Sequence, residues 1–90
     1  MYAALVTVTI DPAQADASRS MLNEQVVPMV KAAPGFVAGY WTEPENGRAF
    51  SVVVFESEEQ ARAVAPPAGS SPAAGVVVDT LEIREVIAHA

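Results

Sequence analysis

The chain has no cysteine. That removes a disulfide framework, a thiol nucleophile and every cysteine-ligated metal site, and it fits a reducing compartment. It has one histidine, His89, next to its last residue. With no second imidazole and no thiolate, a transition-metal site would rest on carboxylates alone, and none is expected. Cations are scarce too: five Lys plus Arg stand against 11 Asp plus Glu, a net charge of −6 that repels phosphate backbones and anionic membrane surfaces. Nucleic acid and membranes are therefore not expected as partners. No apolar run approaches the ~18 residues needed to span a bilayer. The opening MYAALVTVTI lacks a basic segment and carries Thr7 and Thr9 inside its apolar stretch, so no signal peptide is expected and the expected location is cytoplasmic.

Ninety residues make one domain, spanning 1–90, with no room for a second. Apolar residues make up 51% of the chain, but 17 of them are alanines, which add little volume to a core. A chain this short buries only about 60–70% of its unfolded surface, so support from a partner subunit is expected.

Tyr2 to Ile10 alternates and is rich in β-branched residues, the pattern of a strand that Asp11-Pro12 ends. From about Asp16 the period changes: Leu22, Val26, Met29, Val30 and Ala33 place one apolar stripe on a helix. Pro28 lies inside that helix but off the stripe, which predicts a bend with the proline on the solvent side. Pro34-Gly35 stops the helix. Phe36 to Glu43 and Arg48 to Glu56 read as two strands joined by Pro44-Glu45-Asn46-Gly47, whose Asn-Gly is a strong hairpin signal. Ser57-Glu58-Glu59-Gln60 matches a capping box and starts a second helix running to about Ala65. Ala65 to Gly75, APPAGSSPAAG, reads as a loop, and Val76 to Ala88 as one long strand or two with a break near Asp79.

The order β-α-β-β-α-β is that of the α+β, ferredoxin-like arrangement: a four-stranded antiparallel sheet with both helices on one face. Both registers of the first three strands carry apolar side chains, although a solvent-facing register should be mainly polar. The open face is therefore expected to meet a second copy of the chain, forming a homodimer. Tyr2, Ala4, Val6 and Val8 form one row; Ala3, Leu5, Val37, Trp41, Val53 and Phe55 are assigned to the alternate row. Periodicity alone sends a row containing Tyr2, Val6, Val8, Phe50, Val52 and Val54 beneath the helices.

The runs PGFVAGYW (Pro34 to Trp41) and VVVFESEEQARA (Val52 to Ala63) resemble the antibiotic biosynthesis monooxygenase family, within the dimeric α+β barrel superfamily. The likeness covers nearly the whole chain in element order. It implies a homodimer whose sheets face each other and a cavity between the sheet and helices of each subunit. Some relatives use that cavity for cofactor-free oxygenation of phenols, others for haem degradation. Haem-degrading relatives place an asparagine on the first strand, a tryptophan on the second helix and a haem-ligating histidine after it. The matching positions here hold Thr7, Val64 and, in the loop Ala65 to Gly75, no histidine, so haem degradation is not expected and no cofactor is assigned. The resemblance also sends the row opposite to the one chosen by periodicity into the cavity, and the two readings stay open against each other.

Five of the six aromatics, Phe36, Tyr40, Trp41, Phe50 and Phe55, fall in the two hairpin strands. One reading is core and dimer packing. The other is a ligand pocket lined by Thr7, Trp41 and Phe55, with Asn23 adding an amide from the first helix, suited to a flat aromatic molecule. No catalytic residue is identified: His89 reads as a terminal surface residue, Ser57 as a helix cap, and Glu43, Glu45, Glu58 and Glu59 as solvated positions. The functional expectation is a cofactor-independent monooxygenase acting on a phenol- or quinol-type substrate. The alternative is a non-catalytic ligand-binding or structural homodimer of the same fold.

Overall fold

The computed structural model describes residues 1–90, with strands β1 (Tyr2–Ile10), β2 (Phe36–Trp41), β3 (Arg48–Phe55) and β4 (Val76–Glu85) in one antiparallel sheet ordered β2-β3-β1-β4. A long helical stretch connects β1 to β2. After a 3₁₀ turn (Pro12–Gln14) capped by the Asp11 carboxylate, which accepts from the Ala13 N–H at 2.9 Å, it comprises α1 (Ala15–Met21), a π segment (Leu22–Val26) and α2 (Val27–Lys31). The second helix, α3 (Glu58–Val64), links β3 to β4. Val30 of α2 and Ala61 of α3 form one buried cluster with Val53 and Phe55 of β3, so both helices cover the same face of the sheet. The architecture is α+β and compatible with the ferredoxin-like arrangement read from the element order.

Local signals explain most of the boundaries. Asn46 and Gly47 both take positive φ, 53° and 75°, and Glu45 and Arg48 exchange backbone hydrogen bonds of 2.8 and 3.0 Å. This is the two-residue turn that Asn-Gly favours, because its twist matches that of the strands it joins. The Ser57 hydroxyl accepts from the Gln60 N–H at 3.2 Å, completing the α3 cap.

Pro28 is exposed, as its place off the apolar stripe predicts, but the helix accommodates it with more than a bend. The Val27 N–H reaches back to the carbonyl of Leu22, five residues away, and the π segment ends at Val26, two positions before the proline. Widening one turn moves the missing donor of the proline out of the regular ladder. Met29 is 63% exposed rather than part of a buried stripe, while Val30 is 5% exposed and sealed in the core.

Of the two readings of the last segment, the structure has the single strand, with a bulge at Asp79 in place of a break. Thr7 pairs with Thr80 and Val8 with Val78, so Asp79 has no partner residue across the ladder. Its carboxylate accepts from the Thr9 hydroxyl at 2.6 Å.

Pairing register corrects the assignment of the apolar rows. Tyr2 is paired with Phe55, Ala4 with Val53, Val6 with Ser51 and Val8 with Ala49, and directly paired residues share a face. Val53 and Phe55 therefore lie with Tyr2, Ala4, Val6 and Val8 beneath the helices, whereas Phe50, Val52 and Val54 share the open face with Ala3, Leu5 and Thr7. Trp41 pairs with Ser51 and joins the helix-covered face; Tyr40 pairs with Val52 and joins the open one. A bulge between Phe36 and Ala38 leaves Val37 without a cross-strand partner and lets Phe36 and Trp41 share a face despite their odd spacing. Alternation sets parity within each strand. Parity between strands depends on turn length and bulges, so joining Tyr2, Val6 and Val8 to Phe50, Val52 and Val54, or Ala3 and Leu5 to Trp41, Val53 and Phe55, mixes residues of the two true faces.

Candidate functional site

Between the helix-covered face and the long helix lies an open cavity of about 1040 Å³. Its floor is made of short side chains: Ala4, Val6 and Val8 from β1, Ala49, Ser51 and Val53 from β3, and Gly39 from β2. Small floor residues leave volume that the helix does not fill. The helix approaches the sheet where α2 meets β2, and Ser18, Leu22, Asn23 and Val26 of its first part form a roof over the remaining space. Only 12 of 90 residues are buried, and nine of them, Val6, Val53 and Phe55 included, line this cavity.

The loop between α3 and β4 closes one end through Pro66, Pro72 and Ala73. It is tied to β4 by backbone bonds from Gly69 N–H to the Val78 carbonyl (2.8 Å) and from Val78 N–H to the Ser70 carbonyl (2.9 Å). The Ser71 hydroxyl donates to the Val76 carbonyl at 2.6 Å. Prolines that forbid a helix here supply a short apolar wall instead.

Polar groups facing the cavity are few. The buried Ser18 hydroxyl donates to the Ala15 carbonyl at 2.9 Å, and the Asn23 amide nitrogen donates to the Arg19 carbonyl at 3.0 Å. The Ser18 donor is therefore occupied within the helix, while Asn23 keeps a second amide N–H and its carbonyl oxygen without a protein partner. Asp16, Arg19 and Glu43 stand exposed at the margin. Arg19 of α1 forms an ion pair with Glu43 in the hairpin loop and so straps helix to hairpin across one side of the cavity. An exposed pair contributes about 0–1 kcal/mol, so this strap opens readily.

Three of the four sequence-derived site residues border this cavity: Asn23 on the roof, Trp41 in the β2 wall and Phe55 at its inner end. Phe55 is 1% exposed and belongs to the core cluster. Thr7 is not among them. Its pairing with Phe50 and Thr80 turns it to the open face, where its hydroxyl hydrogen-bonds that of Thr80, and the expected pocket partnership with Trp41 is corrected accordingly. Ser51, the residue actually opposite Trp41, fills the polar place that Thr7 was expected to hold. Arg19, Ser51 and the proline-rich loop were not singled out from sequence as site residues. Loop composition was legible, but no local signal pairs Arg19 with a carboxylate 24 positions away.

His89 is exposed beyond the end of β4 and does not line the cavity. No three His, Asp or Glu side chains gather as a candidate metal cluster, and no helix is long and apolar enough to cross a membrane. No protein-family model matches the chain, and no curated protein matches it.

Proposed function

We propose that this protein binds a small, flat, mainly apolar molecule of the phenol or quinol type in the cavity between sheet and helix. The carrying observation is the cavity itself: about 1040 Å³, walled largely by apolar side chains, with one indole in its wall and ionisable groups only at its margin. A hydrophobic space with a few polar anchors favours a ligand whose rings leave water while one or two hydroxyls keep partners. The Asn23 carbonyl oxygen and the Ser51 hydroxyl are suitable partners for a phenolic O–H.

The working unit in this reading is a homodimer joined through the open sheet faces. Tyr40, Phe50, Val77 and Val37 are 67, 58, 47 and 42% exposed, and the first three lie on that face. A second copy presenting the same apolar surface would cover them, and a core this small gains from the added burial.

Oxygenation is the second reading, favoured by the resemblance of the Pro34-to-Trp41 and Val52-to-Ala63 runs. A phenol takes up one O₂ and yields a quinone and water, so the electrons come from the substrate and no cofactor is required. The wall offers orientation and exclusion of water. With no acid or base in the interior, ionisation of the phenol falls to bulk solvent at the open margin.

Titration with 2-naphthol and substituted hydroquinones, followed by Trp41 emission and by an oxygen electrode, separates the readings. Saturable binding without oxygen uptake supports the binding protein, and uptake matched by a quinone carrying one oxygen atom more than the substrate, with the other released as water, supports the oxygenase. Linear, unsaturated changes across the panel would overturn both in favour of a structural dimer.

A further inference from the structure

Gly39 lies on β2 opposite Val53, facing the cavity, with Trp41 two residues further along the same face. Its φ is not positive, so its backbone does not call for glycine. A glycine inside a strand also forgoes the packing that a β-branched residue would give. The reason for it is next to it. A Cβ built on Gly39 would stand 2.9 Å from both Cη2 and Cζ3 of Trp41 and 3.4 Å from Cε2 of Phe36. Non-bonded carbons settle at about 3.5–4.0 Å, so the indole already occupies the place of the missing side chain. The ring therefore lies back along β2, over the bare backbone and towards Phe36. Phe36 in turn meets Phe55 edge to face, with ring centroids 6.3 Å apart.

We propose that Gly39 is the positioning residue for the Trp41 indole, holding it in the wall of the cavity so that the space stays open and the indole is available to a ligand's aromatic ring. A side chain at position 39 would displace the indole. Turned inward, it would take the ligand's volume; turned outward past the edge strand, it would remove the aromatic surface. This inference deepens the ligand-binding reading and rests on it for its functional consequence, but the placement of the indole by Gly39 is testable in the unliganded protein.

The experiment compares Gly39→Ala in the wild-type and Trp41→Leu backgrounds. Near-ultraviolet circular dichroism and acrylamide quenching report the unliganded indole, and calorimetric titration with 2-naphthol reports binding. The expected result is a changed indole band and altered quenching, with 2-naphthol affinity at least fivefold weaker when Trp41 is present and less than twofold changed when it is Leu. An unchanged indole signal, or equal weakening in both backgrounds, would overturn the proposal. Should Gly39→Ala alone not fold, the Gly39→Ala/Trp41→Leu double variant is expected to recover the far-ultraviolet spectrum, and its failure to do so also overturns the proposal. If the wild type binds no 2-naphthol, the ligand-binding reading fails, and the indole signal alone decides the role of Gly39.

Discussion

Trp41 illustrates how one residue's role depends on a neighbour's lack of a side chain and on a bulge four positions earlier. From sequence it was, with Phe55, one of two aromatics assigned to a pocket wall. Its bulged register and the vacancy over Gly39 are tertiary facts. Replacing it with Phe is expected to leave the fold intact and to weaken 2-naphthol binding by about 0.5–1.5 kcal/mol, the scale of an aromatic contact beyond burial. Calorimetry checks this, and an unchanged affinity would remove Trp41 from the site. His89→Ala, by contrast, is expected to change neither binding nor oxygen uptake, since His89 lies away from the cavity. Ser57→Ala should cost about 1 kcal/mol of stability in urea unfolding, because the Gln60 N–H loses its capping acceptor.

At the scale of elements, the helix over the cavity departs most from what its sequence pattern implies. Spacing alone marked Val26, Val30 and Ala33 as inward, and all three pack at the core cluster. It did not show that the turn before Pro28 would widen into a π segment, and it counted Met29, which is 63% exposed, as inward. Pro28→Ala restores a backbone donor and is expected to stabilise the protein by about 1–2 kcal/mol, less than the ~3 kcal/mol of a regular helix interior because the π segment already absorbs part of the strain. A rise in the urea midpoint at constant slope is the expected signature, and a fall would mean that the widened turn contributes to stability. The long fourth strand teaches a related lesson. Asp79 was visible as an interruption, yet only pairing to Thr7 and Val8 distinguishes a bulge from a strand end.

For the whole molecule, the proposed dimer would separate stability from association between the two faces of the sheet. Val6 is 4% exposed beneath the helices, so Val6→Asp buries an unpaired charge and is expected to unfold the chain. Val52 lies mid-sheet on the open face, paired to Leu5 and Tyr40. Val52→Asp is accordingly expected to keep the circular dichroism of the fold while shifting sedimentation from a dimer to a 9.4 kDa monomer. A wild type that already sediments as 9.4 kDa at micromolar concentration would refute the dimer. Haem titration is expected to give no Soret shift saturating at one haem per chain, since the loop between α3 and β4 offers no histidine for axial ligation.

By itself the sequence determined the α+β element order, the Asn-Gly hairpin, the Ser57 cap and the existence of two apolar registers. These follow from propensities and periods that act over a few neighbouring residues. Tertiary structure alone decided which rows share a face, because parity between strands is set by the Phe36/Ala38 and Thr7/Val8 register shifts. It therefore decided that Thr7 looks away from the cavity while Asn23, Trp41 and Phe55 border it. It also decided the space between the first part of the long helix and the sheet, for that depends on how far a helix stands from a sheet, a distance no local pattern carries.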